Sequence, residues 1–522
     1  FGIYYCLYLV LLYRIKHSQD MQTLGIDVGS SSIKIAVYDS VKQKTLARTL
    51  FPENELSIEV PFPDWAEQKP DVWWDSLKGA LHKIQHQIDL KNIQAIGISY
   101  QMHGLVAVDK NLTPVRPAII WCDSRAVKIG KRAFNALKNQ NYLEQHLNAP
   151  GNFTASKLAW VKENEPKAYA RIWKFMLPGD YLALKLSGRA TTTETGLSEG
   201  ALWDFRNKMI SPQLMDYYGF SKTLIPDIVP SVGIQCHVSQ GAAEALGLTP
   251  DIPITYRAGD QPNNALSLNV LEPGELATTA GTSAVIYGVT DKPLYDEKSR
   301  INTFLHVNNT FKNNRNGMLL CVNGAGILYS WLKKLLNTTA ELIDYNDLNN
   351  LSEQAPPGSL NLRFFPFGNG AERILENKNL KAQMSQLNFN IHDRSHLIRS
   401  AKEGIVFSMK YGLDIIHDMG MLTTVIKAGN NNLFRSPLFR TVFVNTLRLP
   451  LELYDTDGAE GAARAALAGL TSQSLENTFK NMSPIDTIYP EQELTEIYQV
   501  QYGHWKKELT VLLTSNENGS SK

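Results

Sequence analysis

The stretch 254-ITYRAGDQPNNALSLN-269 decides the fold of this chain, because it combines a strand, a carboxylate and a helix start. Residues 254–256 are predicted as a strand that ends at Ala258 and Gly259, and Asp260 stands where a helix N-cap would. A carboxylate there faces open backbone N–H groups and the positive end of the helix dipole. We therefore expect Asp260 to stay ionised and to accept a proton or hydrogen bond from a ligand. The alternative is a purely structural N-cap.

The composition indicates an ordinary globular protein with two or more domains. A chain of 522 residues is longer than one hydrophobic core usually organises. Its contents of 43% hydrophobic and 20% charged residues are typical of globular proteins. The net charge of +1 argues against nucleic acid or an anionic membrane as a partner. The widely spaced cysteines at 6, 122, 236 and 321 indicate reduced thiols and a cytoplasmic location, not a disulfide frame or a zinc site.

Residues 1–13, FGIYYCLYLVLLY, are strongly apolar and are followed by Arg14 and Lys16. The run is too short to span a bilayer comfortably, and it lacks the basic start and cleavage site of a signal peptide. Met21 stands just before the first clear strand. We expect residues 1–20 to be an extension outside the fold, and a membrane anchor is the alternative.

Two hairpins share one pattern, a strand that leads through a small polar turn into a second strand. They cover residues 23–39 and 275–288, about 250 positions apart. Their turn residues are Gly29, Ser30 and Ser31 in the first and Gly281, Thr282 and Ser283 in the second. Such turns can direct N–H and O–H groups at phosphate, although either could be an ordinary hairpin. Asp27, just before the first turn, suits Mg²⁺ held through water. The repetition predicts two related domains that close on one nucleotide.

Two further loops follow predicted strands. The strand at 93–99 delivers Met102 and His103, and ligands collect at the carboxyl ends of strands in α/β sheets. The strand at 424–426 leads to Gly429 and to Asn430, Asn431 and Asn432, where the glycine allows close approach and the asparagines can hydrogen-bond a base or ribose. The alternatives are a structural histidine and a polar turn.

Several segments are predicted to support these loops. Residues 191–204 are polar and are expected at a surface or cleft edge, and residues 301–316 are expected to be loop. The alanine-rich helix at 458–469 is suited to close packing beside the loop at 428–430. The pair Asp123 and Arg125 is either a structural ion pair or part of a site.

Together these motifs resemble the FGGY family of carbohydrate kinases over residues 24–470. The residues that carry the resemblance are Asp27-Val28-Gly29-Ser30-Ser31, Trp65-Ala66-Glu67-Gln68, Gln101-Met102-His103-Gly104, Gly259-Asp260, Gly281-Thr282-Ser283 and Ala428-Gly429-Asn430 with Arg435-Ser436-Pro437-Leu438. There are two departures from the family pattern. Gln261 stands where many xylulokinases have Asn, and Asn430-Asn431 replaces a more glycine-rich adenosine loop.

The resemblance implies an α/β fold of two actin/hexokinase-like (ribonuclease H-like) domains with a central cleft. Residues 21–270 would form the N-terminal domain, with the sugar site and the first phosphate loop. Residues 271–513 would form the C-terminal, ATP-binding domain, and residues 514–522 a flexible tail.

The resemblance also implies an activity, ATP-dependent phosphorylation of D-xylulose to D-xylulose 5-phosphate, because the Met-His-Gly loop is similar to that of xylulokinases. Asp260 would be the catalytic base, with Met102, His103, Asp260 and Gln261 as sugar contacts. ATP would contact Gly29, Ser30, Ser31, Gly281, Thr282, Ser283, Gly429 and Asn430, and Asp27 would position Mg²⁺. The expected partners are a small sugar and ATP, with no nucleic acid and no membrane, and a homodimer is allowed. The alternatives are another ketopentose, a polyol or glycerol as the substrate, or a non-catalytic actin-like sensor.

Overall fold

The computed structural model describes residues 21–138, 141–338 and 342–519. The expectations for residues 1–20 and for the last three residues of the tail lie outside the described residues. The chain divides into two compact units. The first contains the described residues up to Asn269 together with 304–310 and 456–482, and the second contains 270–303, 311–455 and the described residues from Ser483. The sequence analysis placed residues 271–513 in one domain, whereas two segments of that range belong to the first unit.

The first unit is built on a six-stranded sheet with the order β13-β14-β5-β1-β2-β3. The strands up to residue 269 are β1 Gln22–Val28, β2 Ile33–Asp39, β3 Lys44–Phe51, β4 Glu67–Gln68, β5 Ile93–Tyr100, β6 Val106–Val108, β7 Ala118–Ile119, β8 Lys174–Met176, β9 Thr191–Thr193, β10 Trp203–Asp204, β11 Met209–Ile210, β12 Asp227–Val229, β13 Val232–His237 and β14 Pro253–Gly259. The helices up to residue 269 are α1 Asp71–Ile84, α2 Val127–Leu137, α3 Tyr142–His146, α4 Thr154–Asn164, α5 Pro166–Tyr169, α6 Pro178–Ser187, α7 Glu194–Glu199, α8 Pro212–Tyr218, α9 Gln240–Leu246 and α10 Asp260–Ser267.

The second unit is built on a seven-stranded sheet with the order β17-β18-β16-β15-β21-β22-β23. The remaining strands are β15 Glu275–Ala280, β16 Ala284–Thr290, β17 Asn302–Leu305, β18 Asn316–Val322, β19 Arg363–Phe365, β20 Gln383–Ser385, β21 Val425–Gly429, β22 Leu451–Tyr454 and β23 Asp486–Ile488. The remaining helices are α11 Gly326–Leu336, α12 Tyr345–Glu353, α13 Arg394–Asp418, α14 Pro437–Leu447, α15 Gly458–Thr471, α16 Leu475–Phe479 and α17 Gln492–Gly519, of which α15 and α16 belong to the first unit.

The two sheets share one strand plan. In the first, β1 pairs antiparallel with β2 and parallel with β5, and β5 pairs parallel with β14, which pairs antiparallel with β13. In the second, β15 pairs antiparallel with β16 and parallel with β21, and β21 pairs parallel with β22, which pairs antiparallel with β23. The repetition predicted from the two hairpins is therefore a repetition of whole sheets.

Each unit has its own buried apolar core. Leu24, Ile26, Ile96 and Ile98, on the central strands of the first sheet, are fully buried. The sequences of such strands are nearly continuous runs of apolar residues, because helices cover both faces of the sheet. In the second unit the long helix α13 buries Ile405 and the residues around it. Among the described residues, no helix is both long and apolar enough to cross a membrane.

Helix α15 has a partner different from the expected one. We predicted that its small residues pack beside the loop at 428–430, but they pack on the first sheet. A Cβ added at Gly25 would lie 1.8 Å from the Ala459 carbonyl oxygen, and one at Gly97 would lie 2.1 Å from that of Ala462. Thr23 Oγ1 also donates to the Ala463 carbonyl at 2.7 Å. Sequence periodicity identified the small face but not the surface that it covers.

Three further expectations need correction. Residues 191–204 are largely buried because β9 and α7 lie within the core of the first unit, so the surface position is wrong, whereas the alternative of a cleft edge stays a prediction. The expected loop at 301–316 contains β17 and the first residue of β18. Helix α17 continues through Gly519, so residues 514–519 are helical where a flexible tail was expected. A preformed helix adds one hydrogen bond for each further residue, which favours its continuation.

Candidate active site

Three parallel strand ends of the first sheet meet at one edge, and two of them carry acidic side chains. The strands β1, β5 and β14 run parallel, and their register places Asp27 beside Ser99 and Ser99 beside Ala258. Asp260 is the first residue of α10, directly after β14. The carboxyl ends of parallel strands in α/β sheets are where ligands bind. This edge is therefore the candidate sugar-phosphorylation site.

Asp27 is held in place by its neighbours along the sheet. Its Oδ1 accepts a hydrogen bond from Ser99 Oγ at 2.9 Å, and it lies opposite Lys34 in the β1–β2 register. Burial raises the pKa of Asp27, although the charge of Lys34 and the Ser99 hydrogen bond oppose the shift. A Cβ added at Gly458 would lie 2.9 Å from Asp27 Oδ2, so the glycine leaves that oxygen uncovered.

Asp260 differs from its prediction in two respects. Gly259 is the N-cap, and Asp260 is the first helical residue, because the strand continues through Gly259. We also expected Asp260 to stay ionised, whereas its pKa is raised to about 7. Burial is the main cause and the negative charge of Asp27 the second, and together they outweigh hydrogen bonds from Gln261 and from the Asp260 backbone. A carboxyl group that titrates near neutral pH is suited to accept a proton in catalysis.

Met102 and His103 lie at the same edge, after β5. A Cβ added at Gly259 would lie 2.5 Å from Met102 Cγ and 2.3 Å from Glu199 Oε2, so both side chains press against the residue before Asp260. His103 Nδ1 lies 2.9 Å from the Glu199 carbonyl oxygen, which can only accept, so Nδ1 is the donor. The structure thus brings Asp27, Met102, His103 and Asp260 together, and Gln261 follows Asp260 on α10.

Sequence reasoning missed Glu199. Its side chain is buried, and its pKa is raised well above the usual value by burial and by the neighbouring carboxylates of Asp260 and Asp180. Residues 191–204 look polar in sequence, and since five consecutive residues of α7 are buried, no periodicity marks Glu199 as a buried residue. Sequence reasoning also missed the buried ion pair between Asp180 and Arg257, whose charged atoms lie 3.1 Å apart. It was missed because the two residues are remote in sequence.

The first phosphate turn, residues 29–31, is tied to the Trp-Ala-Glu-Gln motif. Gln68 Nε2 donates to the Ser30 carbonyl oxygen at 2.7 Å, and Gln68 Oε1 accepts from Trp73 Nε1 at 3.1 Å. The Gly29 N–H closes the turn by bonding the Ser32 carbonyl at 3.0 Å. Gln68 therefore fixes the conformation of a turn whose amides could face an anion.

The pair Asp123 and Arg125 is a structural ion pair. The Arg125 guanidinium contacts Asp123 at 2.6 Å and Glu67 at 2.7 Å, and it stacks over the Trp65 ring with 3.7 Å between Cζ and the ring centroid. Asp123 also accepts the Ala66 N–H at 2.7 Å. Since these side chains are buried, the pair stabilises the motif around Trp65.

The second unit contains a cavity of about 790 Å³, within the size range of small-molecule sites. Its wall includes Gly281 and Thr282 of the second turn and the start of α11. The Gly326 N–H donates to the Gly281 carbonyl at 2.9 Å, and a Cβ added at Gly326 would lie 2.1 Å from that oxygen. Its lining residues are Ala280, Gly281, Thr282, Gly326, Ile327, Tyr329, Ser330, Lys333, Asp344, Tyr345, Asn346, Asn349, Asn431, Asn432, Leu433, Arg435 and Ser436.

Three other predicted ATP residues of the second unit do not line this cavity. Ser283 belongs to the second turn but does not line the cavity, and Gly429 and Asn430 lie just before the lining residue Asn431. The Asn430 side-chain oxygen accepts a hydrogen bond from Arg440 at 2.7 Å. Asn431 and Asn432, the next two asparagines of the predicted loop, line the cavity.

Asp27 fits a magnesium ion bound mainly through water. Among the described residues no group of three or more His, Cys, Asp or Glu side chains could hold a metal ion. Magnesium usually keeps several waters and uses one or two carboxylates together with substrate phosphates. An uncovered Asp27 oxygen beside a turn of small residues meets that requirement.

Comparisons with known proteins agree with this geometry. Residues 22–267 match the N-terminal domain of the FGGY family of carbohydrate kinases. A xylulose kinase of Haemophilus influenzae is 28% identical over 94% of this chain and 99% of its own length, and one of Escherichia coli is 26% identical over 91% and 96%. The crystal structure of a "xyloylose kinase" from Brucella ovis superposes with a TM-score of 0.84 at 25% identity, over 94% of this chain and 99% of that one.

Two sheets with one strand plan, one of them carrying carboxylates at its parallel strand ends, define a two-domain phosphotransferase of the actin/hexokinase-like class. Within that class, the match of residues 22–267 to the FGGY N-terminal domain and the near full-length similarity to xylulose kinases support an FGGY carbohydrate kinase. It is accordingly a kinase whose partners are small molecules, a sugar and ATP.

Proposed function

We propose that this protein transfers the γ-phosphoryl group of ATP to the terminal hydroxyl of D-xylulose, giving D-xylulose 5-phosphate. The observation that carries the proposal is the position of Asp260 beside Asp27 and Met102, with a pKa raised to about 7. The near full-length similarity to proteins named xylulose kinases supports the choice of sugar.

Asp260 would accept the proton of the attacking hydroxyl. The new bond forms between the sugar oxygen and the γ-phosphorus, the bond from the γ-phosphorus to the β,γ-bridging oxygen breaks, and ADP leaves. Phosphoryl transfer depends mainly on alignment and charge stabilisation, and a loose transition state loses the hydroxyl proton late. Asp260 would therefore orient the hydroxyl as well as receive its proton.

Met102, His103 and Gln261 would hold the sugar. Met102 packs against Gly259 and so places an apolar surface next to Asp260. His103 and Gln261 would contact the sugar hydroxyls, because a polar site discriminates hydroxyl patterns through hydrogen bonds. A ketose with the wrong hydroxyl configuration would leave these groups unpaired.

The two turns would bind the phosphates of ATP. Gly29, Ser30 and Ser31 would do so in the first unit, and Gly281, Thr282 and Ser283 in the second. The cavity lined by Gly281, Thr282 and Asn432 is a suitable site for the adenosine part of ATP, with Gly429 and Asn430 as the strand end that supports it. Its volume and mixture of aromatic and amide side chains support this assignment.

Magnesium is part of the proposal, and Asp27 would position it through water. When bound, the ion would neutralise negative charge on the phosphate oxygens. The Ser99 hydrogen bond orients the Asp27 carboxylate for that role.

A panel of sugars tests the substrate. ADP formation would be followed with D-xylulose, D-ribulose, L-ribulose, a pentitol, glycerol and gluconate as acceptors. We expect the highest kcat/KM with D-xylulose and weak ATP hydrolysis without any acceptor. A preference for another ketopentose, a polyol or glycerol would retain the enzyme class and change the substrate.

The alternative from another class is a non-catalytic sensor of sugar and nucleotide. Such a protein would bind both ligands without producing ADP, so the same assay distinguishes it. We favour catalysis because a sensor has no need of a carboxylate that titrates near neutral pH at the ligand site.

We also propose a cytoplasmic location, since ATP is the phosphoryl donor and Cys122, Cys236 and Cys321 are free thiols. A homodimer is the proposed assembly. Light scattering of the purified protein tests the assembly, and a monomeric mass would contradict it.

A further inference from the structure

Lys157 is a buried lysine directly behind the candidate sugar site. It lies in the first half of α4 and is fully buried, which is rare for a lysine. Its Nζ donates to the His103 carbonyl oxygen at 2.8 Å and to the Ile120 carbonyl oxygen at 2.9 Å. The ammonium group therefore joins the sugar loop to the segment that follows β7.

The loop that Lys157 holds has an unusual backbone. His103 has a φ of 61°, in the left-handed region that side chains other than glycine seldom adopt. Such a conformation persists where the surrounding structure enforces it, and it is frequent at ligand sites. The bond to the His103 carbonyl acts on the peptide that follows this residue.

A second set of contacts fixes the His103 ring. Its Nδ1 donates to the Glu199 carbonyl oxygen at 2.9 Å, and its ring packs edge-on against Phe153 with 4.7 Å between centroids. Phe153 directly precedes α4, and its carbonyl oxygen accepts the Lys157 N–H at 3.0 Å. The helix start thus supports both the backbone and the ring of His103.

We propose that Lys157 is a positioning residue for the sugar site, whose ammonium group fixes the left-handed conformation of His103 and thereby the placement of Met102 and His103 toward the sugar. The inference rests on the proposed function, because it assumes that these two residues contact the acceptor. Burial lowers the pKa of Lys157 to about 7, the charges of Asp123 and Cys122 oppose the shift, and Arg125 adds to it. The amine keeps two N–H donors for the two carbonyls even when it is neutral.

The simpler explanation is a structural brace with no effect on the sugar. The chain offers a matched control in the same helix, since Lys162 Nζ also bonds two carbonyl oxygens, those of Tyr218 and Gly219, both at 2.6 Å. Lys162 is half-buried and bonds a segment of α8 and its C-terminus, not the sugar loop. A brace effect should appear in both lysines, and a positioning effect in Lys157 alone.

The test compares Lys157→Met, Lys157→Arg and Lys162→Met with the unmodified chain, measuring kcat and KM for D-xylulose and for ATP. We expect Lys157→Met to lower kcat/KM for the sugar by about 100-fold, as a displacement of about 1 Å in a site can do. The KM for ATP should change by less than about threefold. A change of that size corresponds to the lower end of the free energy that one hydrogen bond contributes. Lys157→Arg keeps donors for both carbonyls and should recover part of the loss.

Thermal unfolding with and without ligand gives a second readout. D-Xylulose should raise the Tm of the unmodified chain and of Lys162→Met but not that of Lys157→Met, while ATP should raise all three. If Lys157→Met does not fold, Lys157→Arg must still show a raised sugar KM with an unchanged ATP KM. Equal sugar parameters in the Lys157 and Lys162 variants would overturn the proposal. If the unmodified chain itself neither binds nor phosphorylates D-xylulose, the proposed function fails instead.

Discussion

The contact between α15 and the first sheet permits a quantitative prediction for Gly25→Ala. The added Cβ would lie 1.8 Å from the Ala459 carbonyl oxygen and 2.5 Å from the Ala463 nitrogen. Both atoms belong to the helix backbone, so no side chain can rotate away. Since real Cβ contacts stay above 3.0 Å, the helix must move by at least about 1.2 Å, the difference between 3.0 and 1.8 Å.

Two consequences follow for stability and for activity. Overpacking of this kind costs about 1–3 kcal/mol, and the backbone contact places Gly25→Ala at the upper end of that range. The same shift moves Gly458, which lies next to Asp27 Oδ2, and misplacement by about 1 Å can lower the rate by about 100-fold.

Urea unfolding and steady-state kinetics would measure both effects, with Gly241→Ala as the control. A Cβ at Gly241, in the first turn of α9, meets no atom within 4 Å. Alanine in an exposed helix is favoured over glycine by about 1 kcal/mol, so the control should be as stable as the unmodified chain or slightly more. If Gly25→Ala unfolds at the same urea concentration as the control and retains full activity, the close contact between α15 and the first sheet does not determine the position of the candidate site.

Four further predictions concern the candidate site. Asp260→Asn should lower kcat by about 10²–10⁴-fold while D-xylulose still raises the Tm, because it removes the proton acceptor while the proposed contacts of Met102, His103 and Gln261 remain; near-normal kcat would refute the assigned role. The kcat/KM for the sugar should rise with pH through about 7 and then level off, because Asp260 must lose its proton to act as a base and burial raises its pKa to about 7; a profile flat from pH 5 to 8 would contradict this. The same raised pKa means that the stability from this group is fully present below about pH 4, where the carboxyl is protonated in both states, and is lost progressively as pH rises to about 7, so the stability that Asp260→Asn gains over the unmodified chain should be larger at pH 8 than at pH 5 and absent below about pH 4. Chelation of divalent ions should abolish sugar phosphorylation and added Mg²⁺ should restore it, whereas Asp27→Asn should require more Mg²⁺ for half-maximal rate; equal Mg²⁺ dependence of the two proteins would remove Asp27 from this role.

The sequence by itself determined the elements that are coded locally. Alternating apolar residues gave the hairpins β1–β2 and β15–β16. Glycine and serine turns and the carboxylate after β14 pointed to a phosphotransferase site, because those residue types are few and their chemistry is specific.

Only the tertiary structure decided what depends on contacts between distant residues. The pKa of Asp260 rises because Asp27, 233 positions earlier by the difference 260 − 27, shares its edge of the sheet. The environment of Glu199, the ties from Lys157 to His103 and the seat of α15 on Gly25 and Gly97 also join segments far apart in the chain. Burial and proximity are properties of the folded chain, and a pattern of residue types does not contain them.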